Sequence, residues 1–189
     1  MGFFQAPPTP YGVFLRRSPL PAGGGVALGG SFVGTFDKDP NVEDFKATLA
    51  HEMVHTFVGS LEEPGGLEGS WYSEGLAVYY QRVLPLRAGV IDADAFLKDL
   101  NVTAARYYTD IKNDAPNAEV PRRFWADTRI RVLPYDRGAM YFAVVDEEVK
   151  RASGGRRSLD DLVLEMIKRR RAGASLTQAL WLDLVTREL

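Results

Sequence analysis

The pattern of apolar and polar positions changes near residue 39. Before it, segments 11–17 and 26–36 are rich in aromatic and branched residues, and they flank Ser18–Gly25, whose prolines and glycines cannot continue a regular element. We expect one strand on each side. After residue 39 the apolar residues recur every four positions, as in a helix that begins at Asp39-Pro40 and ends near Gly59: Phe45, Leu49, Met53 and Phe57.

Apolar positions at near-helical spacing continue over the rest of the chain. A second helix is predicted from Trp71 to Leu84, where Pro85 should stop it. Residues 110–133 are predicted to be largely irregular, and further helices are predicted at 92–108, 134–152, 158–171 and 175–189. Strands followed by helices predict an α+β fold, a single domain over 1–189 that is mainly β in 1–38 and mainly helical in 39–189.

Composition narrows the classes of partner and ligand. The 189 residues are 46% hydrophobic, which suffices for one domain with a real core. A net charge of -2 provides no broad attraction for nucleic acid or for an anionic membrane. The chain has no cysteine, so any bound metal must use histidine and carboxylate ligands.

No targeting segment is apparent in the sequence. The first ten residues lack a basic region followed by an apolar stretch, and Pro7, Pro8 and Pro10 would interrupt a helix there. No apolar run approaches the roughly 18 to 20 residues that cross a bilayer. We therefore expect a soluble protein, with its compartment and oligomeric state left open.

A His-Glu-x-x-His pentad, His51 to His55, falls inside the first predicted helix. The apolar spacing predicts that helix without using the histidines. At 3.6 residues per turn, positions four apart share a face, so both imidazoles can bind one zinc ion. Glu52 is displaced around the helix, where it can act as general base on a hydrolytic water without being a ligand.

A catalytic zinc usually takes three protein ligands and keeps a fourth position open. The chain's two histidines are both in the pentad, so the third ligand must be a carboxylate. Glu74 is the best candidate, because 18 residues separate it from His55 and allow the next helix to fold back. The pentad also occurs by chance, and helical histidine pairs are more often surface or core features. The helical context and the placement of Glu74 favour the metal site.

The pentad and the segment Trp71–Tyr80, Trp-Tyr-Ser-Glu-Gly-Leu-Ala-Val-Tyr-Tyr, resemble the gluzincin metallopeptidases of the aminopeptidase N and PDZ-containing glycyl aminopeptidase families. The resemblance implies a thermolysin-like catalytic domain, a zinc ion and a peptide substrate. Pro134–Gly138 is similar to a Tyr-x-Lys/Arg-Gly segment of those families, whose tyrosine hydrogen-bonds the oxyanion. The resemblance thus gives that role to Tyr135, which on its own would be interpreted as a packing residue.

One segment departs from the resembled pattern. Gly24–Ser31 is similar to an edge strand that reads Gly-Gly-Leu-Glu-His-x-x-Ser in the glycyl aminopeptidases, but Ala27 and Leu28 occupy the Glu and His positions. In such aminopeptidases that glutamate binds the free α-amino group of the substrate. The departure argues against exopeptidase specificity. The backbone of Gly25, Val26 and Ala27 can still bind an extended peptide, because strand addition needs no particular side chain.

Two other functions stay open: a zinc hydrolase of a non-peptide substrate, and a catalytically silent relative that binds peptides. The cluster Lys168–Arg171 is interpreted as a solvated helix end. Four arginines lie in the stretch before Tyr135, and we expect them to be solvated loop residues, with binding of a substrate carboxylate as the alternative: Arg122, Arg123, Arg129 and Arg131.

Overall fold

The predicted α+β class is confirmed: a small sheet precedes a mainly helical body. The computed structural model describes residues 2–7, 9–18, 24–38 and 42–189, so the predicted helix start at Asp39-Pro40 and most of the Ser18–Gly25 connection lie outside the described residues. The strands are β1 (Gly12–Arg17), β2 (Gly25–Leu28) and β3 (Ser31–Phe36). The helices are α1 (Val42–Val58), α2 (Gly66–Arg87), α3 (Ala93–Thr109), α4 (Val120–Arg123), α5 (Thr128–Ser153), α6 (Leu159–Arg171) and α7 (Gln178–Glu188).

The sheet has the order β1-β3-β2, with β1 parallel and β2 antiparallel to β3. The single strand predicted over 26–36 was wrong, because Gly29-Gly30 turns the chain and makes it a hairpin. Gly30 has φ +73°, a conformation that residues with a side chain seldom adopt. The hairpin places β2 at an edge of the sheet, where it packs on α1 together with β3.

Helix α2 is longer at both ends than the sequence predicts. It begins at Gly66 and runs through Pro85 to Arg87. The prediction that Pro85 stops the helix was wrong, since a proline so close to the end removes one hydrogen bond while the amides after it still find acceptors. The Ala88 amide, for example, donates to the Leu84 carbonyl at 3.0 Å.

The segment 110–133 was predicted to be largely irregular, and that prediction was wrong over its second half. It contains a short 3-10 helix at Asn117–Glu119, then α4, then the first six residues of α5. Helix α5 begins at Thr128 because the Asp127 side chain caps it by accepting from the Arg129 amide at 3.1 Å. Tyr135 consequently lies in the second turn of α5, not at its start.

The core is centred on the packing of α2 against α5. Four aromatic side chains from α2, α5 and α7 contact one another edge-on or stacked, with ring centroids 5.5–6.0 Å apart: Trp71, Tyr72, Phe142 and Trp181. All four are buried. Among the described helices, none combines the length and the apolar character needed to cross a bilayer.

Two glycines set the distance between α2 and α5. A Cβ added at Gly75 would lie 2.5 Å from the Gly138 Cα, and one added at Gly138 would lie 2.4 Å from the Trp71 carbonyl oxygen. The two backbones are therefore in direct contact at these positions. Glu74 precedes one of these glycines, and Tyr135 lies one helical turn before the other, so the contact fixes where the two side chains meet.

Candidate active site

Three potential metal ligands converge between α1 and α2. The Nε2 atoms of His51 and His55 are 3.0 Å apart, and each lies 3.3 Å from the Oε2 atom of Glu74. Tetrahedral coordination with bonds of about 2.0–2.1 Å separates neighbouring ligand atoms by about 3.3 Å. The donor set and its spacing therefore fit a zinc ion, with the fourth position left for a substrate or water.

The two helices explain this convergence. His51 and His55 share one face of α1 because they are four residues apart. Helix α2 runs back along α1, so its carboxylate reaches both rings. Burial alone would raise the pKa of Glu74. Its hydrogen bonds with both histidines outweigh that effect and lower the pKa to about 2. Glu74 is thus ionised at neutral pH, as a metal-binding carboxylate must be.

A residue that the sequence did not single out, Gln81, contacts the far side of His51. The His51 Nδ1 atom lies 3.0 Å from the Gln81 Oε1 atom. An amide oxygen can only accept, so Nδ1 donates to Gln81, which leaves Nε2 as the atom that would coordinate a metal. One signal was available in the sequence: Gln81 is seven residues after Glu74, which places both on the same face of α2.

We expect Gln81→Met to weaken zinc binding about 10- to 100-fold, because the ring loses the group that fixes its tautomer and orientation. Competition with a chromophoric chelator measures the affinity. Gln178→Met, at the start of α7, is the matched control and should bind zinc as the parent chain does. An unchanged affinity for zinc in Gln81→Met would mean that Gln81 does not support metal binding.

Glu52 is buried and lies next to His51 on α1 but on a different side of the helix. Burial is the main reason that its pKa is raised. The backbone amide of Ala27, in β2, hydrogen-bonds to its carboxylate. The edge strand therefore both borders the metal-ligand cluster and orients this carboxylate.

Tyr135 approaches the cluster from α5. Its ring stacks on that of His51 with centroids 6.2 Å apart and planes 11° from parallel. Burial, followed by the charges of Glu74 and Glu52, raises its pKa, and its hydroxyl donates a hydrogen bond to Glu74. Tyr135 therefore keeps its proton and is available as a hydrogen-bond donor.

The residues that follow Tyr135 are anchored on both sides of α5. Asp136 is buried and binds Arg106 of α3 through two hydrogen bonds of 2.5 Å. Arg137 donates to the Ala115 carbonyl at 2.6 Å and to the Asn117 side chain at 2.5 Å. These contacts tie the helical turn that carries Tyr135 to α3 and to the segment after it.

A cleft of about 550 Å³ joins these groups. All eight positions singled out from the sequence line it: the three ligand candidates, Glu52, Tyr135 and the β2 residues Gly25, Val26 and Ala27. Gln81 lines it as well. The cleft thus combines a candidate metal-binding cluster, a buried carboxylate, a phenol donor and a strand edge.

Comparison with known proteins agrees with this arrangement. Residues 44–126 match the family model of the M61 glycyl aminopeptidases, a stretch that contains the histidine pair and Glu74 and ends before Tyr135. No curated protein matches the chain significantly.

A solved structure, that of an aminopeptidase N family protein from Idiomarina loihiensis, superposes with a TM-score of 0.76 at 17% identity. It covers 96% of this chain, and this chain spans 36% of that protein. At this identity the likeness shows the fold alone. The chain is thus similar to the M61 glycyl aminopeptidases over residues 44–126 and shares the fold of an aminopeptidase N family protein over most of its length.

Proposed function

We propose that this domain is a zinc-dependent peptidase in which His51, His55 and Glu74 hold the ion. The observation that carries the proposal is the triangle of ligand atoms, 3.0–3.3 Å on each side, with a carboxylate and a phenol in the same cleft. When bound, zinc supplies Lewis-acid chemistry: it lowers the pKa of water to about 7 and polarises a carbonyl.

Residues of the chain carry out the proton transfers and stabilise the developing oxyanion. Glu52 takes a proton from the attacking water as general base and returns it to the leaving amine. The Ala27 amide keeps the Glu52 carboxylate oriented for that transfer. The Tyr135 hydroxyl donates to the oxygen on which negative charge develops as the scissile carbonyl becomes tetrahedral.

The substrate backbone binds along the edge of β2, at Gly25, Val26 and Ala27, as an added strand. Among the described residues that line the cleft, the carboxylates are Glu52 and Glu74. Glu74 contacts both histidines and Glu52 is the proposed general base, so neither of them is left to pair with a free terminal ammonium. We therefore propose that the domain cleaves peptides without requiring a free amino terminus.

Metal analysis followed by digestion of a peptide library tests this function. Half of the library carries free amino termini and half carries acetylated ones. We expect about one zinc per chain, cleavage of acetylated peptides, loss of cleavage with a chelator and recovery when zinc is added back. Zinc without peptide cleavage would favour a hydrolase of another substrate class. A chain that binds peptides and no zinc would be a silent relative.

Tyr135→Phe should lower kcat about 100- to 1,000-fold and leave the zinc content unchanged, because it removes one donor to the developing oxyanion and keeps the packed ring. Steady-state kinetics with metal analysis measures both quantities. Tyr108→Phe, at an exposed position of α3, is the matched control and should keep the parent kcat. Equal activities of the two variants would count against the donor role.

A further inference from the structure

A second cavity, of about 270 Å³, continues the groove between α1 and α2 beyond the cleft. Gln81 of α2 lines both this cavity and the cleft. On α1, Thr48 lines the cleft, and the residue before it, Ala47, lines the second cavity. The two cavities therefore share the walls formed by α1 and α2. We call the second one the α3 pocket, because its third wall comes from α3.

The α3 pocket lies within reach of an extended peptide that is bound in the cleft. Ala47 precedes His51 by four residues, which is about 6 Å along α1. Pro85, which also lines the pocket, follows Glu74 by eleven residues, about 16 Å along α2. An extended chain advances about 3.3 Å per residue, so a side chain that enters the pocket belongs to a residue about two to five positions from the scissile bond.

The walls of the α3 pocket are mainly apolar. They are formed by side chains of α1, α2, α3 and the turn before α3: Ala47, Pro85, Ile91, Ala95 and Val102. Arg82 also lines the pocket, but its buried guanidinium group already donates to Asp99 at 2.6 Å and to Thr103 at 2.8 Å. The pocket therefore needs no anionic ligand to satisfy a buried charge, and its walls suit an aliphatic or aromatic side chain.

Charge and size narrow the side chains that the α3 pocket can accept. Among the described residues that line it, the cations are Lys46, Arg82 and Lys98, and the anion is Asp99. A lysine or arginine side chain of a substrate would therefore meet an excess of like charge. A cavity of about 150 Å³ can hold a benzene ring, so the α3 pocket has room for one large side chain.

We propose that the α3 pocket determines substrate specificity: it takes a large aliphatic or aromatic side chain of the peptide and excludes lysine and arginine. This inference rests on the proposed peptidase function. Ala95 and Val102 are exposed, so the pocket is open to solvent on the side of α3 and buries its occupant only in part. The expected preference over alanine is therefore about 10-fold in kcat/KM.

Matched peptides test the proposal. One peptide cleaved by the parent chain is varied at each position about two to five residues from the scissile bond, on either side. Each position carries alanine, phenylalanine, norleucine or lysine in turn. At one position, phenylalanine should raise kcat/KM about 10-fold over alanine. At the same position, lysine should be cleaved about 10-fold less efficiently than norleucine, which has a similar length and no charge.

Two variants of α3 change the pocket in different ways. Ala95→Trp fills it and should reduce the ratio between phenylalanine and alanine peptides to about 1. Ala105→Trp, at an exposed position ten residues further along α3, is the matched control and should keep the full ratio. Lys98→Glu should remove most of the discrimination between lysine and norleucine, whereas Lys168→Glu, exposed on α6, should keep it.

Equal kcat/KM for phenylalanine and alanine at every position, or a preference that survives in Ala95→Trp, would overturn the assignment. Binding of the same peptides to zinc-loaded Glu52→Gln, measured by fluorescence anisotropy, separates this failure from failure of the proposed function. If no peptide is cleaved but phenylalanine peptides bind more tightly than alanine peptides, and Ala95→Trp abolishes the difference, the pocket stands without the peptidase activity. Equal binding of the two sets would contradict it.

Discussion

Glu52→Gln should retain zinc and lose turnover, with kcat lower by about 100- to 10,000-fold. The amide has nearly the shape of the carboxylate, and its oxygen can still accept from the Ala27 amide, so the edge strand keeps its contact. It cannot take a proton from water at neutral pH. The proposed zinc ligands, His51 and His55, are unchanged in this variant.

Metal analysis and single-turnover kinetics on the same preparation measure the two effects separately. Glu147→Gln, an exposed position of α5, changes the same functional group away from the cleft and should behave as the parent chain does. Full activity with zinc retained in Glu52→Gln would mean that another group accepts the proton. Loss of zinc together with activity would instead make Glu52 part of the metal site.

Gly138→Ala should be strongly destabilising. Its Cβ would lie 2.4 Å from the Trp71 carbonyl oxygen and 2.7 Å from the Gly75 Cα, and both of these are backbone atoms. Neither can move aside by rotation of a side chain, so α2 and α5 must separate. We expect the free energy of unfolding to fall by about 3 kcal/mol, at the upper end for an overpacked position.

Urea denaturation measures the change in the free energy of unfolding. Gly29→Ala, in the turn between β2 and β3, is the control because a Cβ there meets nothing within 4 Å and Gly29 does not have positive φ. It should change stability by less than about 0.5 kcal/mol. In any Gly138→Ala protein that still folds, kcat should fall with little loss of zinc, since Tyr135 moves away from Glu74. A stability equal to that of Gly29→Ala would show that the helices can adjust.

Local patterns in the sequence predicted much of the fold and of the candidate site. The four-residue spacing of His51 and His55 fixes a shared helix face whatever the rest of the fold does. Because the chain has no other histidine and no cysteine, a third ligand has to be a carboxylate. The change from aromatic and branched segments to helical periodicity near residue 39 predicted the α+β class.

The missed features depend on contacts between segments far apart in the chain. Gln81 could be aligned with Glu74 by spacing, but its partner His51 is 30 residues away. Nothing local marks Gly138 as a point of backbone contact, because the partner is Gly75 on another helix. Pro85 is a strong local signal that gave a wrong prediction. Proline disfavours continuation of a helix, but the helix continues here because the amides after Pro85 find acceptors.

The contacts that anchor the turn carrying Tyr135 allow evolution to change two properties independently: the rate of the chemical step and the affinity for the ion. Arg106 and Ala115 belong to a part of the chain that contributes none of the proposed zinc ligands, yet their bonds to Asp136 and Arg137 fix the position of the Tyr135 phenol. Amino-acid changes there can adjust the rate of the chemical step while the affinity for the ion stays constant. On the proposed function, proteins with this arrangement can change their turnover without losing the bound ion.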